Sequence, residues 1–307
     1  TNYGKCFIKC YFLILIRTLL KFIFIYFLIT FSTFGQENVK AVENLIAEKD
    51  YEGAKKSLEM FISKGEQNFY AVELLGDVYG HLKKWELAQN QYAKLLEYDK
   101  RNADYHYKYG GATAMRAQEM NKIAVLPLVS EMKESFQNAI SYNPKHIDAR
   151  WALLHLYLKL PFVFGGGNQK ALHQANEIMK LSPVDGYLAL GVVYSHKEEF
   201  ELSEQNFMSA LHIGHSKVCY LSLYEIYKKN EYFSKSYDIL VEGYEKNKTN
   251  DFLFLLAKLS YDHKFNLADG LNHLNNFILD YNFKSSNYTL QEAYNLRQDL
   301  CELKKNL

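Results

Sequence analysis

LLGDVYGHLKKWELAQNQYAKLLEYDKRN, residues 74–102, is the stretch whose reading decides the fold. Leu75, Gly76 and Tyr79 mark one short helix, and Ala88, Tyr92 and Leu95 mark a second. Gly76 and Tyr79 recur in register as Gly110 and Thr113. Gly76, Tyr79, Ala88 and Tyr92 recur again as Gly191, Tyr194, Ser203 and Phe207. A self-similar period of about 34 residues makes the chain an array of one small two-helix unit.

The spacing has a packing logic. A small residue at Gly76 or Gly191 lets two helices approach, Tyr79 or Tyr194 fills the space one turn later, and Ala88 keeps the crossing tight. Each pair still leaves one apolar face that only the next pair can cover, so stability spreads along the array. The 307 residues are enough for two ordinary domains, but a repeat array of this length can be one continuous body. Hydrophobic residues make up 48% of the chain, enough for a buried seam and incompatible with global disorder. Pro144, Pro161 and Pro183 fall where helices should end, which points to an all-α chain.

These residues resemble the tetratricopeptide repeat family, which implies a right-handed α-solenoid of about seven helix pairs. The repeats fall near 35–68, 69–102, 103–146, 147–183, 184–216, 217–250 and 251–284. Repeat three reaches Phe136, Ala139 and Pro144 only after extra residues between Thr113 and Met132, and repeat four carries extra residues at Pro161 to Gly167. Residues 285–307 read as a closing helix, with Ala293, Leu296 and Leu300 as its apolar stripe and Gln291, Glu292 and Asn295 facing out.

Residues 1–35 differ in kind. Lys5, Lys9, Arg17 and Lys21 occur with no acid, followed by an apolar and hydroxyl run from Phe22 to Phe34. The run is short for a membrane span, and with Gly35 after it the segment reads as a secretory signal cut before Gln36. The alternative is a membrane anchor from about Tyr11 to Phe34, which places Arg17 and Lys21 in the bilayer at about 2 to 3 kcal/mol each. A periplasmic or secreted location is expected, or a membrane-anchored one if the leader stays. Without the leader the chain is mildly acidic and has no cationic stripe, which argues against nucleic acid. Cys219 and Cys301, far apart, read as small apolar residues and not as a disulfide framework.

No catalytic, metal or cofactor site is expected. Gly165, Gly166 and Gly167 lack the Gly-Lys-Ser/Thr ending of a phosphate loop and join two helices. They read as an elongated turn with positive backbone angles, with Asn168 capping the next helix. His212 and His215 are three apart with no third ligand at suitable spacing. Glu198 and Glu199 are adjacent and point to different sides of a helix.

The family resemblance implies that first helices line a concave groove. The inward positions are Tyr70, Glu73, Asp77 and His81; Tyr107; Trp151, His155 and Lys159; Leu188 and His196; and Phe252, Leu255 and Asp262. It implies a scaffold that binds a protein or peptide, and no enzyme. The segment Pro161 to Ala171, PFVFGGGNQKA, also resembles the glycine insertion of exported tetratricopeptide proteins such as the T component of periplasmic solute transporters. That implies an alternative, a small-ligand or transport accessory protein.

Overall fold

The computed structural model describes residues 40–63, 68–121, 124–283 and 285–306. The leader, and with it the expected cut before Gln36, lies outside them. The described residues are all-α, with helices and no strand. Two compact units are distinguished, one ending at Gln91 and one beginning at Tyr92.

The first unit holds α1 (residues 40–47), α2 (Tyr51–Ser63), α3 (Phe69–His81) and the start of α4 (Trp85–Tyr98). Asn68 starts α3 by accepting the Ala71 amide at 3.0 Å, the usual task of an N-cap. Ala54 and Leu58 of α2 and Ala71, Leu75, Val78 and Tyr79 of α3 are buried. Tyr79 donates its hydroxyl to Glu59 at 2.7 Å; burial first, and then this carboxylate, push its pKa up to about 12.

The second unit continues from α4 through α5 (Ala103–Gln118), α6 (Leu126–Tyr142), α7 (Ile147–Lys159), α8 (Asn168–Leu181) and α9 (Pro183–His196). It goes on with α10 (Phe200–Gly214), α11 (Lys217–Lys229), α12 (Phe233–Asn247), α13 (Asp251–His263), α14 (Leu267–Leu279) and α15 (Leu290–Lys305). From α5 to α15 each helix packs on the next, and α7 also touches α9 while α13 touches α15. This is a solenoid in which contacts are local and the core is a seam. One stretch of seam gathers Phe136, Leu153, Leu154, Ile178 and Val193, and the next gathers Leu188, Phe207, Tyr220, Leu240, Phe252 and Leu256. Trp151 packs against both and joins them.

The turn inside each regular helix pair has one construction. Lys83, Glu198, Glu231 and Lys264 all take left-handed backbone angles, with φ of 57°, 61°, 62° and 55°. The next amide then bonds five residues back: Lys84 to Tyr79, Glu199 to Tyr194, Tyr232 to Tyr227 and Phe265 to Ser260, at 2.8, 3.0, 2.8 and 3.2 Å. Orphan carbonyls at the helix end are thereby satisfied without glycine.

Repeats three and four break this construction in different ways. In repeat three the extra residues lengthen helices: α5 has 16 residues and α6 has 17, against 13 and 14 in α3 and α4. In repeat four they are extruded as a loop whose centre is a short 3-10 turn, Phe162–Phe164. Gly165 and Gly167 take φ of 83° and 134° as the turn reading requires, but Asn168 does not cap α8. Gly167 occupies the cap position and Asn168 is the first helical residue, because Gly167 spends its own amide on the Tyr157 carbonyl and turns directly into the helix.

The C-terminal helix closes the seam. Ala293, Leu296 and Leu300 are buried against Leu253, Phe254, Ala257, Leu274 and Phe277. Its start is a reciprocal capping box between Thr289 and Glu292. The preceding segment is tied to α13 by Asp251, which is 2% exposed and accepts from Lys217 Nζ at 2.6 Å, Ser286 Oγ at 2.9 Å and Asn287 Nδ2 at 2.8 Å.

Candidate functional site

The extra turns of repeat three wall a hollow. It lies between α5 and α7, with α6 as its floor, and its volume is about 470 Å³. Gln118 at the end of α5 and Val125 and Val129 at the start of α6 raise its sides. Gly111 and Ala114 on α5 and Ala152 on α7 are too small to fill the space between the two helices. Met132 and Phe136 form the base, and Leu156 and Leu160 complete an apolar wall.

Three groove residues expected from the sequence meet here: Tyr107, His155 and Lys159. Tyr107 is held by ring contacts with Phe136 and His146, at centroid distances of 6.2 and 5.0 Å. Its phenol pKa is raised, by burial first and then by Asp148. His155 stacks on Trp151 at 5.5 Å and 22°. His155 keeps much of its surface exposed, yet desolvation by its surroundings, followed by the charge of Lys159, lowers its pKa. Lys159 is exposed at the rim. No lining residue is acidic, so the hollow offers an apolar interior, an imidazole and one cation.

The other expected residues lie elsewhere. Tyr70, Glu73, Asp77 and His81 share one face of α3 in the first unit, where Tyr70 donates to Glu43 at 2.7 Å. That hydrogen bond first, and then burial and the charges of Glu43, Glu73 and Asp77, raise the Tyr70 pKa. His81 stacks on Tyr51 at 4.4 Å. His196 is exposed in the last turn of α9, and Asp262 is exposed and paired with Lys258 at 3.1 Å. Leu188, Phe252 and Leu255 are corrections to the expected groove. All three are buried in the seam of the second unit and present no surface to a partner. Phe252 in particular is enclosed by Gly243 and Tyr220 of the neighbouring pair. Pro161 is exposed beside the hollow, Gly165 and Gly167 are half-buried, and Gly166 is buried.

Sequence reading missed Gly111 and Met115. The spacing that selected Trp151, His155 and Lys159 on α7 selects them on α5 beside Tyr107, so the signal was present. Val125, Val129 and Met132 had no such signal, because they belong to the interruption. Among the described residues, no group of three or more His, Cys, Asp or Glu is arranged to hold a metal ion. No helix among them is long and apolar enough to cross a membrane. Cys219 is buried, Cys301 is half-buried, and both are free.

No family model and no curated protein matches the chain. Solved structures do. A tetratricopeptide repeat protein from Parabacteroides merdae has a TM-score of 0.55 over 87% of this chain and 98% of that one, at 13% identity. This chain has the tetratricopeptide-repeat fold. Yeast Tom70 matches at a TM-score of 0.52 and 12% identity, over 84% of this chain and 59% of that chain. At such identities the likeness is one of tetratricopeptide architecture. The hollow therefore sits between the first helices of two successive tetratricopeptide units, and its walls come from a departure from the repeat.

Proposed function

We propose that this chain is an exported, non-enzymatic scaffold that binds a protein or peptide, with the α5–α7 hollow receiving an apolar side chain of the partner. One observation carries the reading: an acid-free apolar hollow with Lys159 at its rim. An apolar anchor buried in a pocket is the usual centre of a binding surface. Lys159 then favours partners with an acidic residue or carboxylate beside the anchor.

Peptide display against the full chain tests this. Enriched peptides should pair a large apolar residue with a nearby acid and should lose binding to Ala114→Trp, which fills the hollow. Equal binding to the filled variant would refute the site. Export is tested separately by N-terminal sequencing from the native source, with Gln36 expected first; an intact leader recovered in membranes would favour the anchored alternative.

A second reading is favoured by the hollow's size, which falls in the range of small-molecule sites. With the Pro161 to Ala171 resemblance, it supports a small-ligand or transport accessory protein. Native mass spectrometry of the purified chain distinguishes the two, since a retained small molecule displaced by Ala114→Trp would favour the accessory role.

A further inference from the structure

The loop extruded from repeat four does something the hollow does not. In regular pairs the Tyr194 and Tyr227 carbonyls are capped five residues later, by Glu199 and Tyr232. The equivalent Tyr157 carbonyl is capped at 2.8 Å by Gly167, ten residues on in sequence. The chain thus leaves the helical frame, makes an excursion and returns to the same carbonyl.

The excursion is built. Phe164 N bonds Pro161 O at 3.0 Å, Gly165 N bonds Phe162 O at 2.9 Å, and Gly166 N bonds Pro161 O at 3.2 Å. Lys170 Nζ donates to Gly165 O at 2.8 Å. Gly166 is locked in the base, where an added Cβ would lie 1.9 Å from the Leu160 carbonyl oxygen. What this base holds out is apolar: Phe162 is 86% exposed, Val163 81% and Phe164 42%. A single exposed apolar residue is ordinary, but three in succession on a braced tip are a surface in search of an apolar phase.

The surroundings say which phase. Nζ of Lys133 and of Lys170 lie 3.6 and 3.7 Å from where a Cβ on Gly165 would stand, and Lys159 ends the helix leading into the loop. From Ala149 to Asn176 the chain has no acidic residue. The acids nearest Lys133 in sequence, Glu131 and Glu134, line a different hollow with Glu97 and Lys100, and Glu131 accepts from Tyr109. An aromatic tip with a collar of lysines matches the two layers of an anionic membrane surface, acyl chains beneath and phosphate headgroups around. Pro161 has no amide and those of Phe164 to Gly167 are bonded within the protein, so only the Phe162 and Val163 amides are left to the water and headgroups of a shallow insertion.

We propose that the Phe162–Phe164 tip inserts shallowly into an anionic lipid surface while Lys133 and Lys170 contact the headgroups. The inference is independent of what occupies the α5–α7 hollow.

The test uses the full chain and vesicles of equimolar phosphatidylcholine and phosphatidylglycerol. A Phe162→Trp variant should gain fluorescence quenched by brominated phosphatidylcholine, beyond that of the parent with Trp85 and Trp151. The double variant Phe162→Ser, Val163→Ser should bind these vesicles roughly tenfold or more weakly, given the apolar area withdrawn from the bilayer. Lys133→Glu with Lys170→Glu should weaken binding mainly at low salt. All variants keep the leader, so its own affinity cancels in the comparison, and unchanged helical circular dichroism confirms folding. The proposal is overturned if the added tryptophan is unquenched while the chain sediments with vesicles. Equal binding by the double serine variant, or cross-linking of the tip to a protein partner with vesicles leaving its emission unchanged, overturns it as well.

Discussion

Gly191 is where the repeat pattern makes its sharpest physical demand. It is buried in α9 against Phe207 of α10, and a Cβ on its backbone would lie 2.4 Å from Phe207 Cε1, 2.5 Å from Cδ1 and 2.9 Å from Cγ. Ordinary carbon contacts are about 3.5 to 4.0 Å. Phe207 is 3% exposed, so the ring has no solvent to swing into, and the two helices must part instead. Overpacking of this kind costs about 1–3 kcal/mol, offset by about 1 kcal/mol of helix propensity gained when alanine replaces glycine. Gly191→Ala is therefore expected to destabilise by up to about 2 kcal/mol, with Gly191→Leu, which adds more bulk, at or above the upper end of the overpacking range. Gly111 supplies the control, because a Cβ there meets nothing within 4 Å. Gly111→Ala should stabilise by about 0.5–1 kcal/mol through propensity alone. Thermal unfolding followed by circular dichroism reads the difference as a few degrees of opposite sign, at about 2–4 °C per kcal/mol for a body of this size. If Gly191→Leu matched the parent, or if Gly111→Ala lost as much as Gly191→Ala, the close-approach account of the repeat would be wrong.

Asp251→Ala should destabilise by about 2–4 kcal/mol, since it strands Lys217 and the Ser286 and Asn287 donors, and limited proteolysis should then cut first near residues 282–289. Lys217→Met should cost less, because Asp251 keeps its neutral donors; equal losses would argue that the ion pair dominates. Lys159→Ala should weaken binding of display-selected acidic peptides by up to about tenfold in calorimetry while leaving thermal stability unchanged. His273 has a pKa lowered from 6.5 chiefly by burial, partly offset by Asp269, and shares a 3.0 Å hydrogen bond with the Tyr237 hydroxyl. Because its folded pKa lies below the unfolded one, the unfolded chain binds more protons, so stability should fall as pH drops below about 6.5. His273→Gln should flatten that part of the curve, and an unchanged slope would assign it to other groups.

The helix pairing was legible because its signal is steric. Gly191 and Phe207, or Gly110 and Phe136, must appear together for two helices to touch, so they repeat with the unit. The turns were illegible for the opposite reason. Lys83, Glu198, Glu231 and Lys264 take left-handed angles that sequence reading assigns to glycine, and they are held there by the amide that follows. Inward spacing picked out Tyr107, His155 and Lys159, which line one hollow, but also Leu188, Phe252 and Leu255, which are buried. Spacing gives the face of a helix, whereas exposure depends on what the neighbouring pair puts over that face. At Phe252 that cover is Tyr220, which belongs to another repeat.

A regular tetratricopeptide unit is fully committed: its small residues bring helices together, its aromatics fill the seam and its turn caps the carbonyls. Extra residues enter such a unit without breaking it in one of two ways. They can lengthen the helices along their own axes, or leave and rejoin the frame at a single hydrogen bond. Repeat three takes the first course, and the added turns at Gln118 and at Val125 to Val129 overhang the gap left by Gly111 and Ala114, producing a concave hollow. Repeat four takes the second, and the residues between Tyr157 and Gly167 produce a convex tip. Leu160 lines the hollow and Pro161 begins the tip, so the two devices adjoin. Phe136 and Met132 at the base of the hollow belong to the seam, but Ala114 on its wall and Phe162 on the tip are less enclosed and can answer to partners rather than to packing. Variants at Ala114 and Phe162 should therefore change binding with little change in unfolding temperature, in contrast to Gly191.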